Sequence, residues 1–407
     1  MSSLDCNQIP ESCKLVIEVT RNWIWRAIPV LFILVLVAFA LPKPRPPAQK
    51  VEIQRVPDGG IQPEVAVDSR GVVHLIYFKG NPSAGDLFYC RSLDGSHFSA
   101  PIRVNSVAGT AIAIGNIRGG RIAAGKSGRV YVAWNGSQAA TAENGGRTPM
   151  LFARLNDAGT AFEPERNLIH FAYGIDGGGA VAADSSGRVY VFWHAPAPGS
   201  RGEDARRVWV ARSDDDGKTF DQEQIAWNQP TGACGCCSLD AATDPSGRVY
   251  VLFRSAHEMV HRDMYLLESR DHGATFTGSD IARWDVGYCV MSAESFTSGP
   301  SGMFAAWESE KQVHFGHVNP SADTVVDTTA APRATGQKYP SLAENKSGLL
   351  LVSWTEGMGW KRGGSLHWEL FDRSGQPVTE AGAVEGVPAW SLVAAYPRSS
   401  GDFMILF

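Results

Sequence analysis

Little in this sequence suggests a nucleic-acid-binding protein or a disordered chain. Its 407 residues carry 37 Lys and Arg against 42 Asp and Glu, which gives a formal net charge of −5. After residue 50 the sequence has no long run of like charge and no low-complexity tract. Because nucleic-acid binding relies on clustered basic residues, this charge balance gives no reason to expect a nucleic-acid partner. The chain does contain 44% hydrophobic residues, 43 glycines and 12 tryptophans, which suits a packed core of short strands with tight turns.

Charged residues are also missing from positions 27–41, near the N-terminus. With Trp23–Trp25 added in front of it, and Arg26 near one end, this stretch reaches the length that crosses a thin bilayer. The expected order is a polar segment over 1–22, a transmembrane signal anchor over 23–41, a Pro-rich linker over 42–50 and a folded domain over 51–407. A cleaved signal peptide is the alternative, because Ala38-Phe39-Ala40 resembles a small-x-small cleavage site.

The domain after residue 50 is built from a repeat. Six times the chain has a strand pattern, a turn that ends in glycine, and a second strand pattern that ends in an aromatic residue. Three copies are nearly identical: Ser127–Trp134, Ser186–Trp193 and Ser246–Phe253. Each copy is followed by a loop, an alternating strand and an outer strand. Four short strands per unit, repeated in this way, predict the blades of an all-β propeller.

The two ends of the periodic region predict how the ring closes. Residues 391–407 resemble an inner pair of strands, and Val51–Val56 resembles an outer strand that lacks an inner partner. A last blade built from both termini would leave no open sheet edge. Six full repeats and this composite blade give seven blades by count.

A turn motif recurs after the third strand of several repeats. Its best copies are Ser213–Phe220 and Ser269–Phe276, which share the pattern Ser-x-Asp-x-Gly-x-Thr-Phe, and weaker copies lie at 155–162 and 92–98. In such a turn the Asp and Ser side chains bond nearby backbone N–H groups, the glycine takes a positive φ, and the aromatic ring enters the core. The motif is therefore structural and says little about catalysis.

This motif resembles the Asp-box of the sialidase superfamily, and the resemblance covers about residues 51–407. It implies a sialidase-like β-propeller of six blades, whereas the count of repeats gives seven. It also implies an exported domain that binds, and in an active member hydrolyses, a glycan or another small anionic ligand. Together with the signal anchor, the resemblance places the domain at a membrane, on the extracytoplasmic side.

The resemblance also implies roles for individual residues. A sialidase binds the substrate carboxylate through arginines and uses a tyrosine nucleophile with a carboxylate base and a separate acid. Arg254, at the end of the second strand of the fourth repeat, looks like the middle arginine of the family's triad. Tyr339, in Tyr-Pro-Ser-Leu, looks like the nucleophilic tyrosine, and Asp263 or Asp86 would supply the acid.

Three positions of the family have no match in this chain. The slot of the first arginine holds Ile61–Pro63, and the fifth repeat has no arginine over 294–317. The slot of the glutamate that activates the tyrosine falls near Cys237 and Ser238, with Asp240 displaced by two residues. The arginine set is therefore incomplete, which favours a binding propeller without turnover over an exo-sialidase. Both hypotheses stay open at this point.

Unusual polar residues concentrate in the loops that enter each inner strand and leave each second strand. In a propeller these loops share the face opposite the Asp-boxes, and loops on a rigid scaffold commonly carry a site. We expect this face to bind the substrate through four side chains: Arg118, Arg147, His194 and Glu356.

Four of the seven cysteines lie in two adjacent loops of that face. Cys234, Cys236 and Cys237 precede the fourth inner strand, and Cys289 precedes the fifth at the same distance from its turn glycine. These thiols are expected to meet, either as a metal or redox site, with zinc or copper(I) as the soft metal, or as one or two structural disulfides, for instance Cys289 with one of the other three. Unpaired structural cysteines are the third alternative. No other cofactor is expected.

Overall fold

In the computed structural model, residues 51–407 are described except 320–323, 326 and 331–335. The segments expected over 1–22, 23–41 and 42–50 lie outside the described residues, so the anchor and the linker remain predictions. The described part of the chain contains no helix that is long and apolar enough to cross a membrane.

The described strands form seven separate sheets, which we number as blades 1 to 7 and give from the innermost strand outwards. Blade 1 contains Ile61–Val67, Val73–Asn81, Ala84–Ser92 and Ile102–Arg103; blade 2 contains Arg121–Ala124, Val130–Asn135, Met150–Arg154 and Arg166–Asn167. Blade 3 contains Ala180–Ala183, Val189–Pro196, Arg206–Ser213 and Gln224–Ile225; blade 4 contains Leu239–Thr243, Val249–Arg254, Met264–Ser269 and Thr277–Ala282. Blade 5 contains Ser295–Gly299, Gly302–Ser309 and Gln312–Asn319, against which both Thr324–Val325 and Thr328–Thr329 pair. Blade 6 contains Gln337–Glu344, Leu350–Glu356, Gly364–Phe371 and Pro377–Val387, and blade 7 contains Ala394–Pro397, Phe403–Leu406 and Val51–Gln54.

Helical structure is minor in the described residues. One α-helix, Gln138–Glu143, follows the second strand of blade 2 and is capped by the side chain of Ser137. Two short 3-10 turns occupy Pro57–Gly59 and Lys126–Gly128. The all-β class predicted from the repeat is therefore confirmed.

The innermost strands of neighbouring blades lie against one another around the whole ring. Seven apolar clusters fill the spaces between blades, because the second strand of each blade alternates its side chains between its two neighbours. In blade 2, for example, Val130, Val132 and Trp134 pack with blade 1, while Tyr131 and Ala133 pack with blade 3. The core is thus a set of layers between sheets.

The ring closes with a blade built from both ends of the domain. Val51–Gln54 pairs in parallel with Phe403–Leu406, and the backbone N–H of Phe407 donates to the carbonyl of Gln54 at 3.2 Å. The predicted composite blade is confirmed. The count of six blades implied by the family resemblance is wrong for this chain, because the composite sheet is a seventh blade and its core cluster joins blade 7 to blade 1.

The glycine turns and the Asp-box turns lie at one face, which we call the turn face. In the turn over 213–220, Ser213 Oγ accepts from Gly217 N at 3.0 Å, and Asp215 Oδ1 accepts from Thr219 N at 2.8 Å. Gly217 has φ +73°, a conformation that a residue with a Cβ adopts at a cost. The copy over 269–276 has the same hydrogen bonds. The opposite face holds the loops that enter the innermost strands, and we call it the entry face.

Each Asp-box turn also braces the neighbouring blade. Asp216 of blade 3 accepts from Tyr131 at 2.5 Å, from Arg129 at 3.1 Å and from Arg154 at 3.3 Å, all of blade 2. Its backbone N–H donates to the carbonyl of Gly187 at 2.9 Å. The turn therefore stabilises the contact between two blades.

We expect Asp216→Asn to lower the free energy of unfolding by about 1–3 kcal/mol, because Arg154 and Tyr131 are buried and lose a charged acceptor. Asn is chosen because it tolerates the positive φ of this position. The measurement is urea unfolding followed by tryptophan fluorescence. The matched control is Asp214→Asn, whose exposed carboxylate pairs with Arg212 and should contribute less than ~1 kcal/mol. Equal losses in both variants would contradict the bracing role.

Candidate functional site

A channel runs along the axis, where the innermost strands converge. Towards the entry face it forms a cavity of about 150 Å³, and all seven blades contribute to its wall. Towards the turn face it continues as a cavity of about 600 Å³ that shares Val65, Ile122 and Ala241 with the first. Most wall residues are small or apolar, so the charged residues among them are the natural candidates for chemistry. We call the smaller space the axial cavity.

Four charged residues line the axial cavity: Glu64, Arg121, Asp240 and Glu294. Glu64 and Arg121 form an ion pair that joins blades 1 and 2. Asp240 of blade 4 accepts a hydrogen bond from the backbone N–H of Phe296 in blade 5 at 2.8 Å. The Nη2 atom of Arg121 is buried and has no hydrogen-bond partner among the described residues. The cavity therefore gathers three carboxyl groups around one guanidinium.

Glu294 is the most buried of the three carboxylic acids. Its Oε2 accepts from Ser238 Oγ at 3.0 Å, and its Oε1 accepts from Ser292 Oγ at 3.3 Å. Ser292 Oγ also accepts from Arg254 Nε at 2.8 Å. This chain of hydrogen bonds fixes the carboxyl group and links it to a buried arginine.

Burial perturbs the acidity of these carboxyl groups. It raises the pKa of Glu294 to about 8, although the charge of Arg254 and the bond from Ser238 act in the opposite direction. It raises the pKa of Glu64 to about 7 in spite of Arg121, and it raises the pKa of Asp240 as well. Carboxyl groups with raised pKa values in one cavity are suited to general acid and base catalysis.

Tyr339 lines the same cavity. It is 5% exposed and has φ +54°, which is unusual for a bulky residue, at a point where the pairing of its strand shifts register between Lys338 and Ser341. Burial raises the pKa of its hydroxyl, and the negative charge of Glu308 adds to this effect. The hydroxyl therefore stays protonated at neutral pH and can donate a hydrogen bond to a ligand.

Arg254 lies behind the cavity wall. Its guanidinium donates to Ser292 Oγ at 2.8 Å, to the carbonyl of Arg262 at 2.6 Å, and to the carbonyl of Glu308. It also lies over the ring of Trp284, 5.1 Å from the ring centroid. All three of its nitrogens are therefore engaged in holding loops of blades 4 and 5. Binding of a substrate carboxylate, as the family resemblance implies for Arg254, would require these bonds to be exchanged.

Two other predicted residues, Arg118 and His194, make contacts between neighbouring blades at the entry face. Arg118 of the loop entering blade 2 pairs with Asp176 of the loop entering blade 3 at 2.6 Å. His194 of blade 3 lies 3.0 Å from the carbonyl of Cys237 in blade 4 and 3.2 Å from Arg206. Burial, and then the charge of Arg206, lower the pKa of His194 to about 4, so its ring is neutral. Both side chains hold the entry loops together.

The remaining predicted residues lie outside the wall of the axial cavity. Arg147 is exposed and lies over the ring of Tyr173, and Glu356 accepts from the indole of Trp354 at 2.9 Å. Asp263 accepts from the backbone of Trp284 at 3.0 Å. Asp86, the alternative acid, accepts from Gly109 N at 2.8 Å. Among the predicted catalytic and substrate-binding residues, all of which lie in the described part of the chain, Tyr339 is the one that lines the axial cavity beside the charged residues.

The sequence carried a signal for the axial cluster that loop composition does not reveal. Glu64, Arg121 and Asp240 each lie seven residues before the turn glycine of their repeat. The same position in the other blades holds alanine or serine, namely Ala180, Ser295, Ser341 and Ala394. An alignment of the repeats on their turn glycines would have identified the cluster, because it shows charged residues at a position where the other repeats have small ones.

The cysteine group joins the loops that enter blades 4 and 5. Cys236 and Cys289 form a disulfide, while Cys234 and Cys237 are buried thiols with their sulfurs 2.6 Å apart. Burial alone would raise the pKa of Cys237, but the bond with Cys234 and the charge of Arg254 outweigh it and lower the pKa to about 7. As disulfide partners, Cys236 and Cys289 offer no thiolate to a metal. A metal at the remaining pair stays a prediction.

Comparisons with known proteins show the fold. No protein-family model matches the chain, and no curated protein matches it. Among solved structures, a protein of unknown function from Dyadobacter fermentans matches with a TM-score of 0.51 and 17% identity, over 76% of this chain and 94% of the other. The Hadza microbial sialidase Hz136 matches with a TM-score of 0.50 and 16% identity, over 82% of this chain and 75% of the other.

The chain has a β-propeller fold similar to that of a solved sialidase. An α-L-arabinanase from Penicillium chrysogenum is also similar, with a TM-score of 0.49 and 14% identity over 79% of this chain and 95% of its own. At these identities the likeness concerns the fold alone. The predicted β-propeller fold is thus confirmed, with seven blades in this chain.

The raised pKa of Glu294 makes a testable contribution to stability. A carboxyl group whose pKa is higher in the folded state than in the unfolded state favours folding at low pH, and this contribution is lost as pH rises towards the folded pKa. Glu294→Gln should therefore become more stabilising relative to wild type between pH 5 and pH 8, by about 2–4 kcal/mol. The measurement is urea unfolding at both pH values. The matched control is Glu143→Gln on the exposed side of the short helix, and a gain of the same size there would contradict the assignment.

Proposed function

We propose that this propeller is a glycoside hydrolase whose reaction takes place in the axial cavity. The observation that carries the proposal is the meeting of Glu64, Asp240 and Glu294 around Arg121 in one confined space. Most glycoside hydrolases need two carboxyl groups, one protonated as the acid and one ionised as base or nucleophile. The similarity in fold to a solved sialidase supports a carbohydrate ligand.

Glu294 has the features of the general acid. Its pKa of about 8 keeps it protonated at neutral pH, and two serine hydroxyls fix its orientation. A protonated carboxyl group in this position would protonate the oxygen of the leaving group.

Asp240 and Glu64 have the features of the ionised partner. Two backbone N–H groups, those of Ala241 and Phe296, donate to Asp240 and oppose the rise in its pKa that burial causes. Glu64 is paired with Arg121 and keeps 25% of its side-chain surface exposed, so a ligand in the cavity can reach it. One of the two would activate water or attack the sugar, and the hydroxyl of Tyr339 would donate a hydrogen bond to the substrate.

The substrate is proposed to be a neutral terminal sugar. A sialic acid needs cationic donors for its carboxylate, and the arginine in the axial cavity is already paired with Glu64. Arg254 is engaged by backbone carbonyls. These contacts favour a neutral glycan over the anionic ligand that the family resemblance implies.

A glycan-binding propeller without turnover is the second candidate. The observation that favours it is the protonated Tyr339, which would lack the nucleophilic role that the family gives it. In this case the same cavity would hold a sugar through hydrogen bonds, and the carboxyl groups would serve as acceptors.

The location is also proposed rather than established. The stretch 23–41, which is apolar apart from Arg26 and Pro29, supports a membrane anchor with the propeller on the extracytoplasmic side. The disulfide between Cys236 and Cys289 supports an oxidising compartment, because such bonds are rare in the cytosol.

The proposal predicts turnover of a neutral fluorogenic glycoside by the full-length protein. Methylumbelliferyl glycosides of neutral sugars, with a sialoside beside them, would be tested as substrates. Glu294→Gln should reduce kcat roughly 100- to 10,000-fold, because it removes the proton donor, and should leave KM nearly unchanged. Glu143→Gln serves as the matched control and should keep full activity.

Each of the other outcomes assigns the function differently. Release from the sialoside alone would support an exo-sialidase and contradict the neutral substrate. Loss of turnover in Asp263→Asn but not in Glu294→Gln would move the site to the rim of blade 4. Sugar binding measured by calorimetry without any turnover would support the binding propeller.

A further inference from the structure

The four cysteines of the entry face are arranged as an outer disulfide and an inner pair of thiols. Cys289 is exposed and Cys236 is half-buried, whereas Cys234 and Cys237 are buried. The sulfur of Cys234 lies 2.6 Å from that of Cys237 and 3.5 Å from that of Cys236. The thiol of Cys234 therefore contacts both the thiol of Cys237 and the Cys236 sulfur of the disulfide.

Two buried arginines surround the inner pair. Arg262 is 3% exposed and uses Nη2 to bind Glu203 at 2.7 Å, while its Nε and Nη1 have no hydrogen-bond partner in the described part of the chain. Its charge acts on Cys234 and Cys237, and that of Arg254 acts on Cys237. A thiolate beside Arg262 would explain why two of its buried donors lack a hydrogen-bond partner, because the guanidinium would stabilise that negative charge. The thiolate is also the reactive form of cysteine.

We propose that these four cysteines form a thiol–disulfide exchange site, in which the disulfide moves between the outer and the inner pair. The inner pair has Cys-x-x-Cys spacing, in the sequence Cys234-Gly235-Cys236-Cys237, which brings its two sulfurs together in one turn. The partner of the site is a small thiol or disulfide of the surrounding solution, which reaches Cys289. The inference does not depend on the proposed hydrolase function.

The exchange balances without any further reagent. The Cys237 thiolate takes the proton of Cys234 beside it, and Cys234 attacks Cys236 Sγ, so that a Cys234–Cys236 bond forms and Cys289 leaves as a thiolate. Cys237 then loses this proton, the Cys289 thiolate gains one, and the Cys237 thiolate attacks Cys234 Sγ, forming a Cys234–Cys237 bond and releasing Cys236. Two electrons pass from the inner pair to the outer pair, and the two protons that the inner thiols lose are taken up by Cys236 and Cys289.

The exchange would change the contacts of the axial cavity. Cys237 precedes Ser238, whose hydroxyl donates to Glu294 at 3.0 Å. A Cys237 thiolate also raises the pKa of Glu294 through its charge, and a disulfide carries no such charge. The disulfide between Cys236 and Cys289, which ties the entry loops of blades 4 and 5, would be open in the exchanged state.

The test is a redox titration of the full-length protein in buffers of reduced and oxidised glutathione. Samples are quenched in acid, alkylated with N-ethylmaleimide under denaturing conditions, digested and mapped by mass spectrometry. Among molecules with one disulfide, roughly a tenth or more should carry Cys234–Cys237 with Cys289 alkylated. A tenfold ratio between the two forms corresponds to a difference of about 30 mV between the reduction potentials of the two disulfides. Under oxidising conditions both disulfides should form together.

Variants separate the exchange from simple reduction. Cys234→Ser and Cys237→Ser should each abolish the Cys234–Cys237 form and slow the loss of the outer disulfide at limiting glutathione. Cys90→Ser, which removes the buried thiol of blade 1, is the matched control and should behave as wild type. Two results would overturn the proposal: Cys289 linked to Cys236 in every single-disulfide molecule, or a stoichiometric metal on the inner pair that blocks its oxidation.

Discussion

The structure depends on every sheet covering a face of each of its two neighbours. The second strands are apolar on both sides, as in blade 2, where Trp134 packs towards blade 1 and Tyr131 towards blade 3. A row of such sheets would leave one apolar face exposed at each end. Closing the row into a ring removes both exposed faces, and the parallel pairing of Val51–Gln54 with Phe403–Leu406 fastens the ring where it begins and ends.

Closure also determines what can happen at the axis. Equivalent positions of the innermost strands meet around the channel. A residue at one position of the repeat therefore lies next to the residues at the same position in other blades. Most blades have a small residue at this register, whereas Glu64, Arg121 and Asp240 are long or charged. Confined in about 150 Å³, the carboxyl groups share one guanidinium, and burial raises their pKa values. The perturbed acidity is thus a consequence of the ring.

The fold could be predicted from the sequence because its signals are periodic. The repeated turn glycines and the alternation of strands predicted blades, and the unpaired strand patterns at the two ends predicted the composite blade. The family resemblance was less reliable in this respect, since its six blades do not apply to a chain whose ends form a seventh sheet. Counting the repeats of the chain itself was the better guide.

The site was predicted less completely, for two physical reasons. Which loop residues bind each other depends on the path of each loop in space, and Arg254 and His194 turn out to hold loops together through buried hydrogen bonds. The pairing of the cysteines depends on the positions of sulfur atoms within a few ångströms, although their equal spacing predicted that the two loops would meet. The charged register of the inner strands was visible in the sequence, but only an alignment of the repeats on their glycines shows it.

The entry loops pack closely enough to couple their separate groups. Gly177 and Gly178 lie so near the carbonyls of Cys237 and Ile117 that a Cβ on either glycine would lie 1.9 Å from the oxygen. Backbones at this distance cannot shift independently, because the space between them is already filled. A change of covalent state at Cys237 therefore acts on the loop that carries Ser238, and through its hydroxyl on Glu294. The close packing of the entry loops thus connects the sulfur chemistry of the rim with the carboxyl groups of the axis.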